Sequence, residues 1–290
     1  MLPEFDYVRP VTKEETIGIL TEHNPDAQVL AGGTDLLPSM RDRVLRPKIL
    51  VDIKGIEELH RITCNPESGL TIGANVTFND IIESEAIKKN CPLLREVAMK
   101  VADQEIRNRA TLVGNICNAS PAADSAPALL VLDARIVAIG PQGERRIDAE
   151  SLFTGVRRTC LTRDEMVVAV EIPNPMIHSR GKYWKHTRTR GEDLAIVGVC
   201  ILLSEARNDT MDVRIALASV APKPVRIREA EKIFTRGGNI DRMIEEAVRT
   251  VMTKISPISD VRGSREYRIH MAEFLVRKTL RELIGNQGAS

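Results

Sequence analysis

Apolar positions change their spacing repeatedly along this chain, and each change marks an element. Thr12 and Glu15 form a capping pattern ahead of Ile17, Ile19 and Leu20, which predicts the start of an amphipathic helix. Ala27–Asp35 (AQVLAGGTD) is a short apolar strand ending in a double glycine, and Lys48–Ile53 and Gly69–Val76 read as further strands. Thr77 and Asp80 open a helix carrying Ile81 and Ile82, and another helix is expected from Pro92 to about Glu105. Asn108 to Pro127 is polar, rich in small residues and too long for an ordinary connector, so a functional loop is expected there. Pro127 starts a short helix over Ala128–Leu132. Ala134–Ile139 and Arg145–Ile147 then read as a hairpin around Pro141–Gly143, and Met166–Ile172 as a strand closed by Pro173 and Pro175.

Beyond Pro175 the pattern becomes three strands, Gly181–Thr187, Leu194–Glu205 and Met211–Val220, followed by helices. Ile240–Ile255 carries a helical stripe of Ile240, Met243, Ile244, Ala247, Val251 and Ile255. Ser264–Leu283 is the longest expected helix, with Met271, Phe274, Leu275, Leu280 and Leu283 as its core face. The expected class is α+β in two parts, residues 1–175 and 176–290, the first dividing again near residue 55 into 1–55 and 56–175.

Composition narrows the function. Hydrophobic residues make up 43% and charged residues 28% of 290, enough apolar side chains for a real core, which excludes a disordered chain. Lys+Arg 41 against Asp+Glu 40 leaves +1, so no global field draws in nucleic acid or anionic lipid. The longest apolar stretch, Ile196–Leu203, is too short to span a bilayer, and MLPEFDYVRP has no secretory pattern, so a cytoplasmic protein is expected. Cys64, Cys91, Cys117, Cys160 and Cys200 lie 27, 26, 43 and 40 residues apart, without metal-ligand spacing, and are expected to be free buried thiols. The five histidines show no ligand spacing either, so no metal is assigned to this chain.

Two loops carry the strongest chemical signal. Gly32-Gly33-Thr34-Asp35 follows an apolar strand directly. Glycine admits positive φ and close backbone approach, so this turn is either a simple tight turn or an anion-binding nest. Thr111-Leu112-Val113-Gly114-Asn115 again combines a hydroxyl, a glycine and an amide. Two such nests would suit the two phosphates of a dinucleotide, although neither GxGxxG nor GxxxxGK[ST] occurs. Tyr183 and Trp184 are expected to pack within their strand, and Arg188, Arg190, Glu192 and Asp193 form either a surface ion-pair cluster or a ligand loop.

LAGGTDLLPSM, LTIGANVTFNDI, IRNRATLVGNICNASPAADSAPALLVLDA, TRTRGEDLAIV and DVRGSREYRIHMAEFLVRKTL together resemble the FAD-binding medium subunit of molybdenum hydroxylases, the family of xanthine, carbon monoxide and nicotinate dehydrogenases. The resemblance runs from about Leu2 to Leu283. It implies an FAD-binding domain of two α/β subdomains (PCMH-type) and a C-terminal domain with a three-stranded antiparallel sheet and helices. Val29, Leu30, Ala31, Gly32, Gly33, Thr34, Asp35 and Leu36 would wrap the FAD diphosphate, with Thr111, Gly114 and Asn115 on its other side. Asp124 would serve the ribityl and adenosine side, Val167 would lie beside the flavin, and Lys185 would sit near the pyrimidine end of the isoalloxazine.

The resemblance further implies a large subunit with the molybdopterin-type molybdenum cofactor and a small subunit with two [2Fe–2S] clusters, assembled as a dimer of heterotrimers or similar. Electrons would pass to NAD(P)+ or another acceptor. Two departures stand out: Val113 replaces a glycine of many relatives and would be strained if its φ were positive, and Val101 stands where some relatives have an aromatic near the flavin. The scattered cysteines show no cysteine-rich insertion for the [4Fe–4S] cluster of some relatives, which argues against the 4-hydroxybenzoyl-CoA reductase branch. The competing readings are a stand-alone FAD-dependent oxidoreductase, for which 290 residues leave little room for a substrate cavity, and a flavin-free scaffold subunit.

Overall fold

The chain starts with a small parallel sheet. Strands β1 (Asp6–Val8), β2 (Ala27–Leu30) and β3 (Ile49–Asp52) pair in the order β1-β3-β2, joined by helices α1 (Lys13–Glu22) and α2 (Leu36–Arg41). The structure, a computed structural model, describes residues 2–173, 179–189, 193–205 and 211–285. The cap expected at Thr12 is present: its Oγ1 accepts from the Glu15 N–H at 3.1 Å, while the Glu15 carboxylate accepts from Val11 N–H at 2.9 Å.

A five-stranded antiparallel sheet follows. β4 (Ile62–Asn65) and β5 (Gly69–Gly73) precede the helices α3 (Phe78–Glu83), α4 (Glu85–Asn90), α5 (Pro92–Ala98), α6 (Gln104–Arg107), α7 (Leu112–Cys117) and α8 (Ser125–Val131). After them come β6 (Arg135–Gly140), β7 (Gly143–Asp148), α9 (Ala149–Leu152), the small ribbon β8 (Phe153–Gly155) and β9 (Arg158–Thr159), and β10 (Met166–Ile172). The sheet order β4-β5-β10-β6-β7 brings the last strand to the centre. The helix expected to run from Pro92 to about Glu105 ends at Ala98. Ala102 takes φ +40, and Asp103 restarts a short helix by accepting from Ile106 N–H at 2.7 Å. The stretch expected as a loop from Asn108 to Pro127 contains α7 and the start of α8.

The expected boundary at Pro175 lies outside the described residues. Beyond it, β11 (Ser179–His186), β12 (Val197–Glu205), β13 (Met211–Ala218) and β14 (Val225–Arg226) form an antiparallel sheet in sequence order. The fourth strand is two residues long and was not visible as alternation. α10 (Arg228–Glu231), α11 (Ile240–Lys254) and α12 (Arg265–Gly285) complete the chain.

This sheet is buried on both faces. Tyr183, Cys200, Leu202 and Ala216 join the core of the preceding sheet, while Val199, Ile201, Leu203, Ile215 and Leu217 pack with residues of α11 and α12. The period-2 alternation of β12 therefore divides its side chains between two cores. On α12 the buried arc is Arg268, Ala272, Leu275, Val276, Thr279, Leu280 and Ile284. Phe274, expected on the core face, is 50% exposed because it lies off that i, i+3, i+4 stripe.

Buried Arg268 ties α12 to the sheet. Its guanidinium donates to the Ile196 and Ser219 carbonyls and pairs with Asp260 at 2.7 Å. Burial raises the Asp260 carboxyl, but the Arg262 N–H and the Arg268 and Arg262 guanidiniums more than offset it and hold it down at about 2. The stability that Asp260 contributes is thus complete above its unfolded pKa of about 4 and is lost as pH falls through the folded value. Asp260→Asn is expected to flatten that acid limb in a thermal-melt series against pH, and an unchanged limb would count against the pairing.

Candidate functional site

The first glycine loop hangs from β2. Leu30 is buried beside Met40 and Leu50, with Leu36 and Leu37 packed against them, so both ends of the loop are pinned by apolar contact. Between them Gly33 takes φ +76, a conformation an L side chain rarely adopts. Gly32 answers a different constraint. A Cβ there would lie 2.0 Å from the Arg109 carbonyl oxygen and 2.8 Å from its carbon, so this loop is laid directly on the backbone preceding Thr111. Among the described residues, the N–H groups of 32–35 donate to no protein acceptor. Asp35 faces the Arg157 guanidinium and the Asn118 amide, which themselves hydrogen-bond at 2.9 Å.

The second loop is tighter than its composition implied. Thr111 caps α7 by accepting from Gly114 N–H at 2.9 Å, so hydroxyl and amide satisfy one another. Thr111 also bridges to Thr77, whose own helix α3 carries a complete capping box with Asp80. Val113 sits inside α7 with 5% exposure and without positive φ, so the strain considered for it does not arise. Asn115 accepts from Ser125 Oγ at 2.6 Å, which ties this segment to the helix following Asp124.

Asp124 is the electrostatic centre. Its carboxylate accepts from Tyr183 O–H at 2.6 Å and from Lys185 Nζ at 2.8 Å, and Lys185 also donates to the Lys100 carbonyl at 2.9 Å. Both members of the Asp124–Lys185 pair are 8% exposed. Burial pushes the Asp124 carboxyl up, opposed by the Lys185 ammonium and the Tyr183 hydroxyl, and burial beside Asp124 drives the Tyr183 phenol well up. The Lys100 ammonium donates to the Tyr183 carbonyl and pairs with Glu96 at 2.7 Å.

The remaining candidates are placed as follows. Val29 and Ala31 are partly buried against the main core; Val167 and Val101 are buried in it, Val167 on β10, against which α7 packs. Trp184 packs toward the C-terminal core with the Lys278 ammonium 4.0 Å from its ring centre. Arg190 and Glu192 lie outside the described residues, while Asp193 accepts from Thr189 N–H at 3.0 Å and Thr189 Oγ1 at 2.6 Å. The cysteines are free, but of the five only Cys91 and Cys200 are buried, while Cys117 and Cys160 are half-buried and Cys64 is exposed; burial of the thiol lifts Cys91 to about 11 and Cys117 to about 12. Lys54, Lys100 and the Tyr183 hydroxyl were missed from sequence, since each acts through a partner brought near by the fold.

The arrangement thus offers an uncommitted row of backbone donors laid against a second loop, to which the Ser125–Asn115 hydrogen bond ties the segment carrying a buried ion pair. The family model for the FAD binding domain in molybdopterin dehydrogenase matches residues 3–175, and that for the CO dehydrogenase flavoprotein C-terminal domain matches residues 182–283. The chain belongs to this family. It is 31% identical over 283 residues to a putative xanthine dehydrogenase FAD-binding subunit of Escherichia coli, covering 97% of each chain. It is 32% identical over 285 residues to the carbon monoxide dehydrogenase medium chain of Hydrogenophaga pseudoflava, covering 96% of each. A solved structure of carbon monoxide dehydrogenase from that organism superposes with a TM-score of 0.94 at 31% identity, over 98% of this chain and 99% of that one.

The protein is therefore an FAD-binding medium subunit of a molybdenum hydroxylase-type oxidoreductase. The free N–H groups at 32–35, on a loop that Gly32 lets lie directly against the 109–110 backbone, fit a diphosphate. Among the described residues no helix is long and apolar enough to cross a membrane.

Proposed function

We propose that this chain carries FAD at the junction of the two loops and acts as the electron outlet of a three-subunit complex. Electrons taken from substrate at a molybdenum centre in a large partner subunit would pass through the [2Fe–2S] clusters of a small subunit to this flavin. They would leave to NAD(P)+ or another acceptor, within a cytoplasmic dimer of heterotrimers or similar. The observation that carries the reading is the row of unbonded N–H groups at 32–35 held against the 109–110 backbone, in a chain whose residues 3–175 match an FAD-binding domain.

In this reading the chain's own residues bind and shape charge. The N–H groups of Gly32, Gly33 and Thr34 hold the diphosphate, Asp35 and Arg157 border it, and Asp124, Tyr183 and Lys185 form a rigid polar wall. Bound FAD supplies hydride and single-electron chemistry, so no general acid or base is required of the protein. The uncommitted donors also favour this reading over a flavin-free scaffold, in which they would have nothing to hold.

Purified full-length chain is expected to show flavin absorbance that is released by acid, as noncovalent binding requires. Co-expression with its large and small companions is expected to give a complex in which substrate reduces that flavin. A colourless folded chain that does not take up added FAD would overturn the assignment. Substrate turnover by the chain alone would favour a stand-alone oxidoreductase.

A further inference from the structure

A buried network on the first sheet ends at the glycine loop. Asp52, at the end of β3, is 3% exposed. It accepts from the Tyr7 hydroxyl on β1, from Lys54 N–H at 2.9 Å, and from the Lys54 ammonium at 2.7 Å. Burial raises the Asp52 carboxyl, but these donors outweigh it and leave it below the usual carboxylate range, so it stays charged and anchors the lysine. The Lys54 ammonium then donates to the Ala31 carbonyl at 3.0 Å.

Ala31 C=O and Gly32 N–H belong to one peptide unit. In a trans peptide they point in opposite directions, so a cation holding the carbonyl from behind fixes the direction of the N–H in front. It also polarises the unit and strengthens that N–H as a donor, as coupled hydrogen bonds do in a low-dielectric setting. A free lysine side chain samples many rotamers, but here Asp52 has already restricted it.

We propose that Lys54 is a positioning residue for FAD: its ammonium, anchored by Asp52 and Tyr7, locks the Ala31–Gly32 peptide so that the loop's N–H groups face the FAD diphosphate. The inference rests on the reading that residues 29–36 form the FAD loop. Lys54 acts through the backbone and adds little net charge, because Asp52 neutralises it.

The test is FAD affinity and dissociation rate of the full chain after flavin removal, together with its melting temperature. Lys54→Met is expected to weaken FAD about tenfold, mainly through faster release, and Lys54→Arg to restore most of that loss, since a guanidinium reaches both Asp52 and the carbonyl. Lys54→Met also strands Asp52, so Asp52→Asn/Lys54→Met separates fold from positioning. That double variant is expected to regain melting temperature while FAD stays weak. Recovery of FAD affinity along with melting temperature would overturn the proposal, as would parental affinity in Lys54→Met. Gly33→Ala distinguishes the two readings. If it loses FAD while Lys54→Met does not, the role of Lys54 falls and the loop assignment stands. If both bind like the parent, both fall.

Discussion

Gly32→Ala is expected to destabilise the chain and release its flavin together. The added methyl would sit 2.0 Å from the Arg109 carbonyl oxygen, which is backbone and has little freedom to yield. Overpacking of this kind costs about 1–3 kcal/mol or more, and the strain falls where the two loops meet. The physical reason differs from the one the sequence suggests. A glycine before a phosphate loop implies that the ligand needs the space, whereas here the protein's own second loop occupies it. Loss of flavin in this variant therefore does not by itself locate the diphosphate. Gly33→Ala is the cleaner probe: its cost comes from φ +76, about 1–3 kcal/mol, and its nearest neighbours are the flexible ends of Leu30 and Leu37. Gly114 contrasts with both. It is helical, without positive φ, and a Cβ would meet only the Thr111 Oγ1 that caps α7, at 3.0 Å, so Gly114→Ala trades a gain in helix propensity against a strained cap and is expected to cost less than either. Thermal melts of the three variants, with flavin content measured on the same samples, check the ordering. A parental melting temperature in Gly32→Ala would contradict the close approach of the loops.

Long, strongly patterned elements were legible in the sequence. The apolar run of β12, the stripe of α11 and the motif order along the chain each fixed an element or the family, because many residues contribute to one signal. Short elements were not. β1 and β14 span three and two residues, too few to show a period, and α7 hid in a stretch whose small residues resemble a loop. The site divides in the same way. Gly32, Gly33 and Thr34 stand beside one another in the chain and were visible as a turn with donors. The Asp124–Tyr183–Lys185 cluster joins residues about sixty positions apart, and Lys54 reaches Ala31 across a parallel crossover. Such contacts depend on register and burial, which a linear pattern does not encode.

Lys185→Met is expected to act on the fold first and on the flavin second. If Lys185 were a lone cation at the pyrimidine end of the flavin, where the resemblance puts it, its removal would lower the flavin potential while FAD remained bound. The structure gives it a buried partner: Asp124 lies 2.8 Å away, both side chains are 8% exposed, and Tyr183 donates to the same carboxylate. Removing one member of a buried pair strands the other and costs about 3–5 kcal/mol. The pH dependence follows in sign. Burial already raises Asp124, and losing the lysine raises it further. A carboxyl whose folded pKa exceeds its unfolded value of about 4 binds its proton more tightly when folded, so its stabilising contribution is lost as pH rises through the folded pKa. The deficit of Lys185→Met against the parent should therefore widen from mildly acidic to alkaline pH. Asp124→Asn/Lys185→Met, with no charge left in the site, should recover most of the stability and lose that slope. On the proposed reading, in which the pair borders the flavin, the potential then follows its net charge. Asp124→Asn leaves a lone cation and should raise it, Lys185→Met leaves a lone anion at alkaline pH and should lower it, and the neutral pair should fall near the parent. Melting curves against pH and redox titrations of the four proteins decide the matter. A pH-independent deficit would mean that Asp124 keeps its charge balanced by Lys100 or another cation, and identical potentials in all four would place the pair away from the flavin.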